Sequence, residues 1–176
     1  MDIDRSFAIK GKVAVVTGAS TGIAEMIAEG MLRAGARVYI VGRKQDALDA
    51  TAERLSAFGS IGTIQADLAT GEGVQAVHKA VEAREPELLA HAQAGAGAAQ
   101  GQHSGECGGA GHLSHAYQRA VRADPAAQAA AMRDIPMRRQ GLPEEIAAPV
   151  IFLCSRAANY MTGTILPVSG GMATLD

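Results

Sequence analysis

The chain has no tryptophan, and its aromatic residues are limited to three phenylalanines and three tyrosines. Two cysteines, Cys107 and Cys154, are too few for a disulfide framework, which favours a reducing compartment. No segment approaches the roughly 18 apolar residues of a membrane span, and residues 1–12 lack the apolar core of a secretory signal. A net charge of −2 leaves no basic surface for nucleic acid or an anionic membrane. We therefore expect a cytoplasmic protein that binds neither.

Short β-branched segments alternate with segments of helical periodicity in the first half. Three strands are predicted at Val13–Thr17, Arg37–Gly42 and Ile61–Asp67. The segments after them place apolar residues on one helical face, at Ile23, Met26, Ile27, Gly30 and Met31, then at Leu48, Ala52, Leu55 and Phe58, then at Val74, Val77 and Val81. This alternation predicts βαβ units, a parallel sheet and an α/β fold within one domain of ordinary size.

The turn between the first strand and the first long helix has the residues of a phosphate site. It reads TGASTGI at positions 17–23. Gly18 permits a tight turn, Gly22 allows the backbone to approach a pyrophosphate, and Ser20 and Thr21 add hydroxyl donors. The alternative is a glycine-rich turn that only packs. We expect a dinucleotide site here.

The ends of the next two strands indicate which dinucleotide. An acidic residue after the second strand would bind the ribose hydroxyls of NAD, but Arg43 and Lys44 stand there. A guanidinium suits a 2′-phosphate, so NADP is preferred to NAD, unless both cations are simply solvated. Asp67, followed by Leu68, closes the third strand, where its carboxylate either meets the adenine amino group or caps a helix.

These motifs resemble the short-chain dehydrogenase/reductase family, nearest to its 3-oxoacyl and ketone reductases. The matching segments are residues 17–23, Arg43, residues 66–68, 135–155 and 159–171. The resemblance implies a Rossmann-like, doubly wound parallel sheet with its last strand at Ile165–Val168. It also implies hydride transfer between NADP(H) and a carbonyl or alcohol substrate, with Ile23 and Leu68 among the cofactor contacts. One departure is Ala24, where the family has glycine.

The catalytic groups that the resemblance implies are missing. The family uses a serine, a tyrosine as proton donor, and a lysine four residues after that tyrosine. Here Tyr39 is followed at that spacing by Arg43, Tyr117 by Val121, and Tyr160 by Thr164. The family's Asn-Asn-Ala-Gly stretch and its Pro-Gly turn near the nicotinamide are also absent. We therefore expect no catalytic residues and very low activity.

Three interpretations compete for the Ala/Gly-rich segment 86–118. His103, Cys107, His112 and His115 are of types that bind zinc, but their spacing matches no usual finger. The segment is otherwise a flexible linker without a packed face. We expect the chain to divide into three parts. These are a dinucleotide-binding half at 1–85, an irregular segment at 86–118, and a C-terminal helix and last strand of the same domain at 119–176.

The third interpretation is a shift of reading frame. When the reading frame is shifted by one base, degenerate codons for Gln102–Gly111 can encode N-I-A-V-N-A-V-A-P-G. This string resembles the family's sixth strand and its Pro-Gly turn. We hypothesise a shifted segment that follows a deletion of the fourth and fifth strands and returns to frame near Arg119. The first strand would then be an exposed apolar edge. The gene's nucleotide sequence tests this. We expect such a chain to be an inactive family member. The alternative is a non-catalytic protein that binds NADP or assembles with an intact paralogue. The chain could also form a homo-oligomer.

Overall fold

A computed structural model describes residues 2–85, 124–133, 135–161 and 166–172. Three parallel strands alternate with helices in the first half, and two further helices follow in the second. The strands are β1 (Val13–Thr17), β2 (Arg37–Gly42) and β3 (Ile61–Gln65). The helices are α1 (Ile3–Phe7), α2 (Ile23–Arg33), α3 (Gln45–Leu55), α4 (Gly71–Arg84), α5 (Pro125–Arg133) and α6 (Pro143–Cys154). Single 3₁₀ turns follow α3 at Ser56–Phe58 and α6 at Arg156–Ala158. No helix in these ranges is both long and apolar enough to cross a membrane.

The sheet has the order β1-β2-β3, with both pairs of strands parallel. Val13 lies opposite Arg37 in the first pair, and Val38 lies opposite Ile61 in the second. The predicted Rossmann-like α/β fold is therefore confirmed. The predicted bounds of β1 and β2 agree with the structure, whereas β3 ends at Gln65, two residues before the predicted Asp67.

Strand β2 is the centre of the core because helices cover both of its faces. Val38 and Ile40 pack on one face in a cluster with Leu32 of α2 and Leu48 of α3. On the other face, Val41 packs in a second cluster that includes β3 and α4. A strand buried on both sides reads as a continuous apolar segment, and the sequence of β2 does so.

Helix α6 joins the C-terminal part to the first half by packing on α2. A Cβ atom placed on Gly30 of α2 would overlap the Cβ of Ala147, so the glycine sets how closely the two helices approach. The Lys12 ammonium donates to the carbonyl oxygen of Cys154 at 2.8 Å. A cation at the C-terminal end of a helix both satisfies a free carbonyl and complements the helix dipole.

The last strand of the expected sheet is not observed. Leu166–Val168 lie in neither a helix nor a strand, and Ile165 lies outside the described residues. A strand exists only through hydrogen bonds to a neighbouring strand, and the described sheet offers this segment none. The prediction of a strand at Ile165–Val168 is therefore wrong for Leu166–Val168.

Strand β1 also differs from the buried strand that its sequence indicates. Within the described ranges it pairs with β2 alone. Ala14 and Val16 pack against the core, but Val15 on the opposite face is 41% exposed. The apolar sequence of β1 is typical of a strand that is covered on both faces, whereas the described residues cover only the face with Ala14 and Val16. Segment 86–118, with the hypothesised frame shift, lies outside the described residues.

Candidate functional site

The predicted site residues gather at one edge of the sheet, where all three parallel strands end. The hydrogen bonding continues one residue past the ends of β1 and β3, with the Gly18 N–H donating to the Val41 carbonyl of β2 and the Ala66 N–H to the Gly42 carbonyl, each at 2.9 Å. Neighbouring strands lie about 4.8 Å apart, so the turn after β1 and Asp67 after β3 are separated by about two such spacings. Arg43 and Lys44, which follow β2 and are called the cationic tip below, lie between them. Ligands of open α/β sheets bind at this edge.

Two glycines with positive φ shape the turn before α2. Gly18 has φ of 69° and Gly22 has φ of 75°, a region that costs other residues strain. A Cβ atom at either position would meet nothing within 4 Å, so both glycines border open space. Gly22 is the residue before the first turn of α2, where backbone N–H groups lack partners within the helix. The turn therefore fits a phosphate group, which needs N–H donors and room to approach the backbone.

Neighbouring elements hold this turn on three sides. The Gly18 N–H bonds to the Val41 carbonyl, and the Ala19 side chain is fully buried in the core. On the outer side, the Thr51 hydroxyl of α3 donates to the Ser20 carbonyl at 3.3 Å. At the far end, the Met26 N–H closes the first helical bond to the Gly22 carbonyl at 3.2 Å. These contacts restrain the backbone of the turn without a bound ligand.

The side chains expected to contact the cofactor are accessible. Thr21 is exposed, Ser20 is half-buried, and Ile23 at the start of α2 is 38% exposed. Arg43 and Lys44 are exposed on the tip between β2 and α3, and the Gln65 amide donates to the Arg43 carbonyl at 3.0 Å. Both cations thus lie at the same edge of the sheet as the turn.

Asp67 lies at the expected edge, but it is not the N-cap of α4. Its carboxylate accepts from the Ala69 N–H at 3.1 Å, which closes a local turn. Thr70 is the N-cap, because its hydroxyl accepts from the Gly73 N–H at 3.0 Å. The helix-capping alternative for Asp67 is therefore wrong, since the helix begins three residues later than that alternative needs. Leu68 is 39% exposed beside it.

The two described tyrosines are in positions unsuited to proton transfer at this edge. The Tyr39 hydroxyl donates to the Glu85 carboxylate at 2.8 Å, and Arg37 pairs with the same carboxylate at 3.2 Å. Burial, the bond to Glu85 and its negative charge raise the pKa of Tyr39. Tyr160 is fully exposed after α6. Tyr117 lies outside the described residues.

No group of three or more metal-binding side chains occurs in the described ranges. The four zinc-type residues, His103, Cys107, His112 and His115, lie outside these ranges. Cys154 is a free, half-buried thiol, and burial raises its pKa above the ordinary value, which makes it a poor nucleophile.

Sequence reasoning missed the residues that hold the site rather than line it. Thr51 reads as one more position of a helix, and Gln65 as the exposed end of a strand. Neither residue belongs to a sequence motif. Thr51 acts on Ser20, 31 residues away in the sequence, and Gln65 acts on Arg43, 22 residues away. The signal in the sequence was a threonine on a predicted helix face whose other residues, Leu48, Ala52 and Leu55, are apolar.

A parallel sheet with a glycine turn at its carboxyl edge defines a Rossmann-like α/β protein. The chain belongs to the short chain dehydrogenase family, whose model matches residues 12–106. A second model, described as enoyl-(acyl carrier protein) reductase, matches residues 109–173. The predicted family is confirmed.

Two relatives from Pseudomonas aeruginosa and one from Beutenbergia cavernae illustrate the similarity. The rhamnolipids biosynthesis 3-oxoacyl-[acyl-carrier-protein] reductase of Pseudomonas aeruginosa is 29% identical over 249 residues, covering 94% of this chain and 97% of that protein. The RhlG/NADP active-site complex of the same organism superposes with a TM-score of 0.76 at 26% identity, covering 96% of this chain and 98% of the other. A putative NAD(P) dependent gluconate 5-dehydrogenase with bound NADP, from Beutenbergia cavernae, has a TM-score of 0.70 at 26% identity, covering 96% and 99%.

The lengths in these comparisons are unequal. The first alignment runs over 249 positions, whereas this chain has 176 residues, so at least 73 positions have no counterpart here. Other curated relatives match over 17%, 21% and 31% of their own length.

Proposed function

We propose that this chain binds NADP(H) at the carboxyl edge of its sheet. The open, positive-φ glycines of the turn before α2 are the observation that carries the proposal. Gly18, Gly22 and the first amides of α2 would bind the pyrophosphate, with Ser20, Thr21 and Ile23 around it. Arg43 and Lys44 would bind the 2′-phosphate, and Asp67 and Leu68 would border the adenine. The RhlG structure is a complex with NADP and the Beutenbergia cavernae structure has bound NADP, which supports the choice of cofactor.

The binding proposal predicts that the chain prefers NADPH to NADH. Isothermal titration of the full chain with each nucleotide measures this directly. Replacing Arg43 by Leu removes the planar cation, so R43L should lose most of the preference, with about tenfold weaker NADPH binding and little change for NADH. Equal affinities of the unmodified chain for both nucleotides would contradict the assignment of the tip.

We propose further that the chain does not transfer hydride at a rate typical of its family. The family reaction would be reduction of a ketone or 3-oxoacyl group, or oxidation of an alcohol, with the nicotinamide supplying or accepting hydride. The 176 residues contain no Tyr-x-x-x-Lys, and Tyr39 is bonded to Glu85 instead. Without the tyrosine and lysine of that motif, which position the substrate oxygen and transfer its proton in the family, turnover should fall by several orders of magnitude.

Oxidation of NADPH in the presence of ketone and 3-oxoacyl substrates tests this second proposal. An intact family reductase at equal concentration is the positive control, and chain without substrate gives the background. Consumption of NADPH within about a hundredfold of the control rate would contradict the proposal. NADPH binding without turnover would agree with both proposals.

An internal loss of sequence would account for these properties. The 73 or more alignment positions without a counterpart in this chain support a deletion of central strands. The division at residues 85 and 118 and the frame shift are parts of this proposal. Sequencing the gene tests it, because a shifted frame must encode the family's missing strand and Pro-Gly turn.

A second candidate function is assembly with an intact paralogue. Exposed apolar side chains are frequent in the C-terminal part, at Met137, Leu142, Leu166, Val168 and Met172. These side chains are the proposed docking residues, because contiguous exposed apolar surface is typical of sites of protein association. Co-expression with an intact family member followed by size exclusion would show a mixed oligomer, and separate elution of the two chains would exclude this function.

A further inference from the structure

A hydrogen-bonded network joins the glycine turn to helix α3. Its central residue is Thr51, which is 1% exposed although it carries a hydroxyl. The hydroxyl donates to the Ser20 carbonyl at 3.3 Å and accepts from the Arg54 guanidinium at 3.1 Å. A buried hydroxyl with both partners in place orients those partners, since losing either bond leaves a polar group unsatisfied. Thr51 therefore fixes the middle of the turn against a helix that does not itself line it.

The same guanidinium also controls a charge at the start of α2. Arg54 donates to the Glu25 carboxylate at 2.7 Å, and the Glu25 side chain is 26% exposed. Glu25 lies in the first turn of α2, where its charge favours the helix but opposes a second anion at the same helix end. The pairing with Arg54 offsets this repulsion and orients the carboxylate toward α3.

We propose that Thr51 and Arg54 are positioning residues of the dinucleotide turn. Thr51 holds the Ser20 carbonyl, so that the amides that follow it stay directed at the open space beside Gly18 and Gly22. Arg54 orients Thr51 and neutralises Glu25, so that the helix end accepts phosphate. This inference rests on the proposed binding of NADP(H) at this turn.

Replacement of Thr51 by Val tests the first role, because valine keeps the volume and removes the hydroxyl. T51V should bind NADPH about fivefold more weakly, as loss of one hydrogen bond implies. T51S keeps the hydroxyl and should restore most of the affinity. Adenosine, which has no phosphate, serves as the second ligand, and T51V should leave its binding unchanged. An equal loss for both ligands would reduce Thr51 to a general structural role and overturn the proposal.

Hydrogen exchange of the turn amides supplies a measurement that needs no ligand. In the full chain without nucleotide, exchange at residues 18–22 should be faster in T51V than in the unmodified chain and in T51S. Unchanged exchange in T51V overturns the positioning role. If the unmodified chain does not bind NADPH but T51V still loosens the turn, the proposed function fails and the positioning role stands.

Charge variants test the second role. R54M should weaken NADPH binding by about fivefold to tenfold, because Glu25 is then unpaired beside the phosphates. The double variant R54M/E25Q should recover the part of that loss that the unpaired Glu25 carboxylate causes. Glu29 provides the matched control, since it lies one turn later on α2 and pairs with Arg33 instead. The control R54M/E29Q should bind as weakly as R54M. Equal recovery by both double variants would show a nonspecific effect of net charge and overturn the proposal.

Discussion

At the scale of single residues, one glycine sets the distance between two helices. Gly30 faces Ala147, which is itself buried on α6. A Cβ atom is fixed to the backbone and cannot rotate away, so a methyl group at position 30 forces the helices apart. The gap that Gly30 leaves is therefore part of the packing between the N-terminal and C-terminal parts of the chain.

Replacement of Gly30 by Ala should destabilise the protein by about 1–2 kcal/mol. Overpacking costs about 1–3 kcal/mol, and the higher helix propensity of alanine returns up to about 1 kcal/mol. Chemical denaturation measures the free energy of unfolding. G71A is the matched control, because a Cβ atom there meets nothing within 4 Å. G30A/A147G should regain most of the loss, and failure of that rescue would place the cause elsewhere.

At the scale of elements, an ion pair fixes the start of α6. The Arg139 guanidinium donates two hydrogen bonds to the Glu145 carboxylate, at 2.6 and 2.7 Å. The same carboxylate accepts from the Leu142 N–H at 2.8 Å, which satisfies an amide before the helix. These bonds to Arg139 and Leu142 lower the pKa of Glu145 from 4.5 to about 2.

This pKa predicts how acid affects the C-terminal helix. Because the folded chain holds Glu145 at a lower pKa than the unfolded chain does, its contribution to stability is present above pH 4.5 and is lost as the pH falls toward 2. Thermal unfolding between pH 6 and about pH 2 should show a decline in Tm that is smaller in E145Q. E144Q, one residue earlier on the same turn, is the control. An unchanged pH profile in E145Q would contradict the role of this carboxylate.

At the scale of the whole molecule, the sheet presents β1 at an edge of its described part. A flat apolar edge with free N–H and C=O groups is a template for pairing with another chain. Val15 adds an exposed side chain on the uncovered face of that strand. The expected consequence is self-association through β1.

Replacement of Val15 by Lys should reduce self-association, because an inward or edge lysine opposes strand pairing. Static light scattering across a concentration series should show at least a severalfold lower aggregated fraction in V15K. V74K is the matched control, since Val74 is 53% exposed but lies on helix α4. If V74K lowers scattering as much as V15K does, added charge rather than the strand edge explains the effect.

Local patterns were sufficient for part of this structure. The β-branched segments predicted β1 and β2 to the residue, and Gly18 and Gly22 indicated the turn because positive φ leaves few alternatives to glycine. Asp67 shows the limit, since its position after β3 was correct but the capping role went to Thr70. A carboxylate can cap a helix or close a turn, and the choice depends on where the following helix begins.

The sequence by itself determined the α/β alternation, the glycine turn, the cationic tip and the absence of a Tyr-x-x-x-Lys, because each depends on neighbours in the chain. Only the tertiary structure decided that Leu166–Val168 form no strand, that Val15 is exposed, and that Thr51 holds Ser20. These facts depend on which distant segments are adjacent in space. A strand needs a neighbouring strand to pair with, and a buried side chain needs another layer of structure over it. The hydrogen bond from Thr51 needs the Ser20 carbonyl within reach. A local sequence pattern determines none of these.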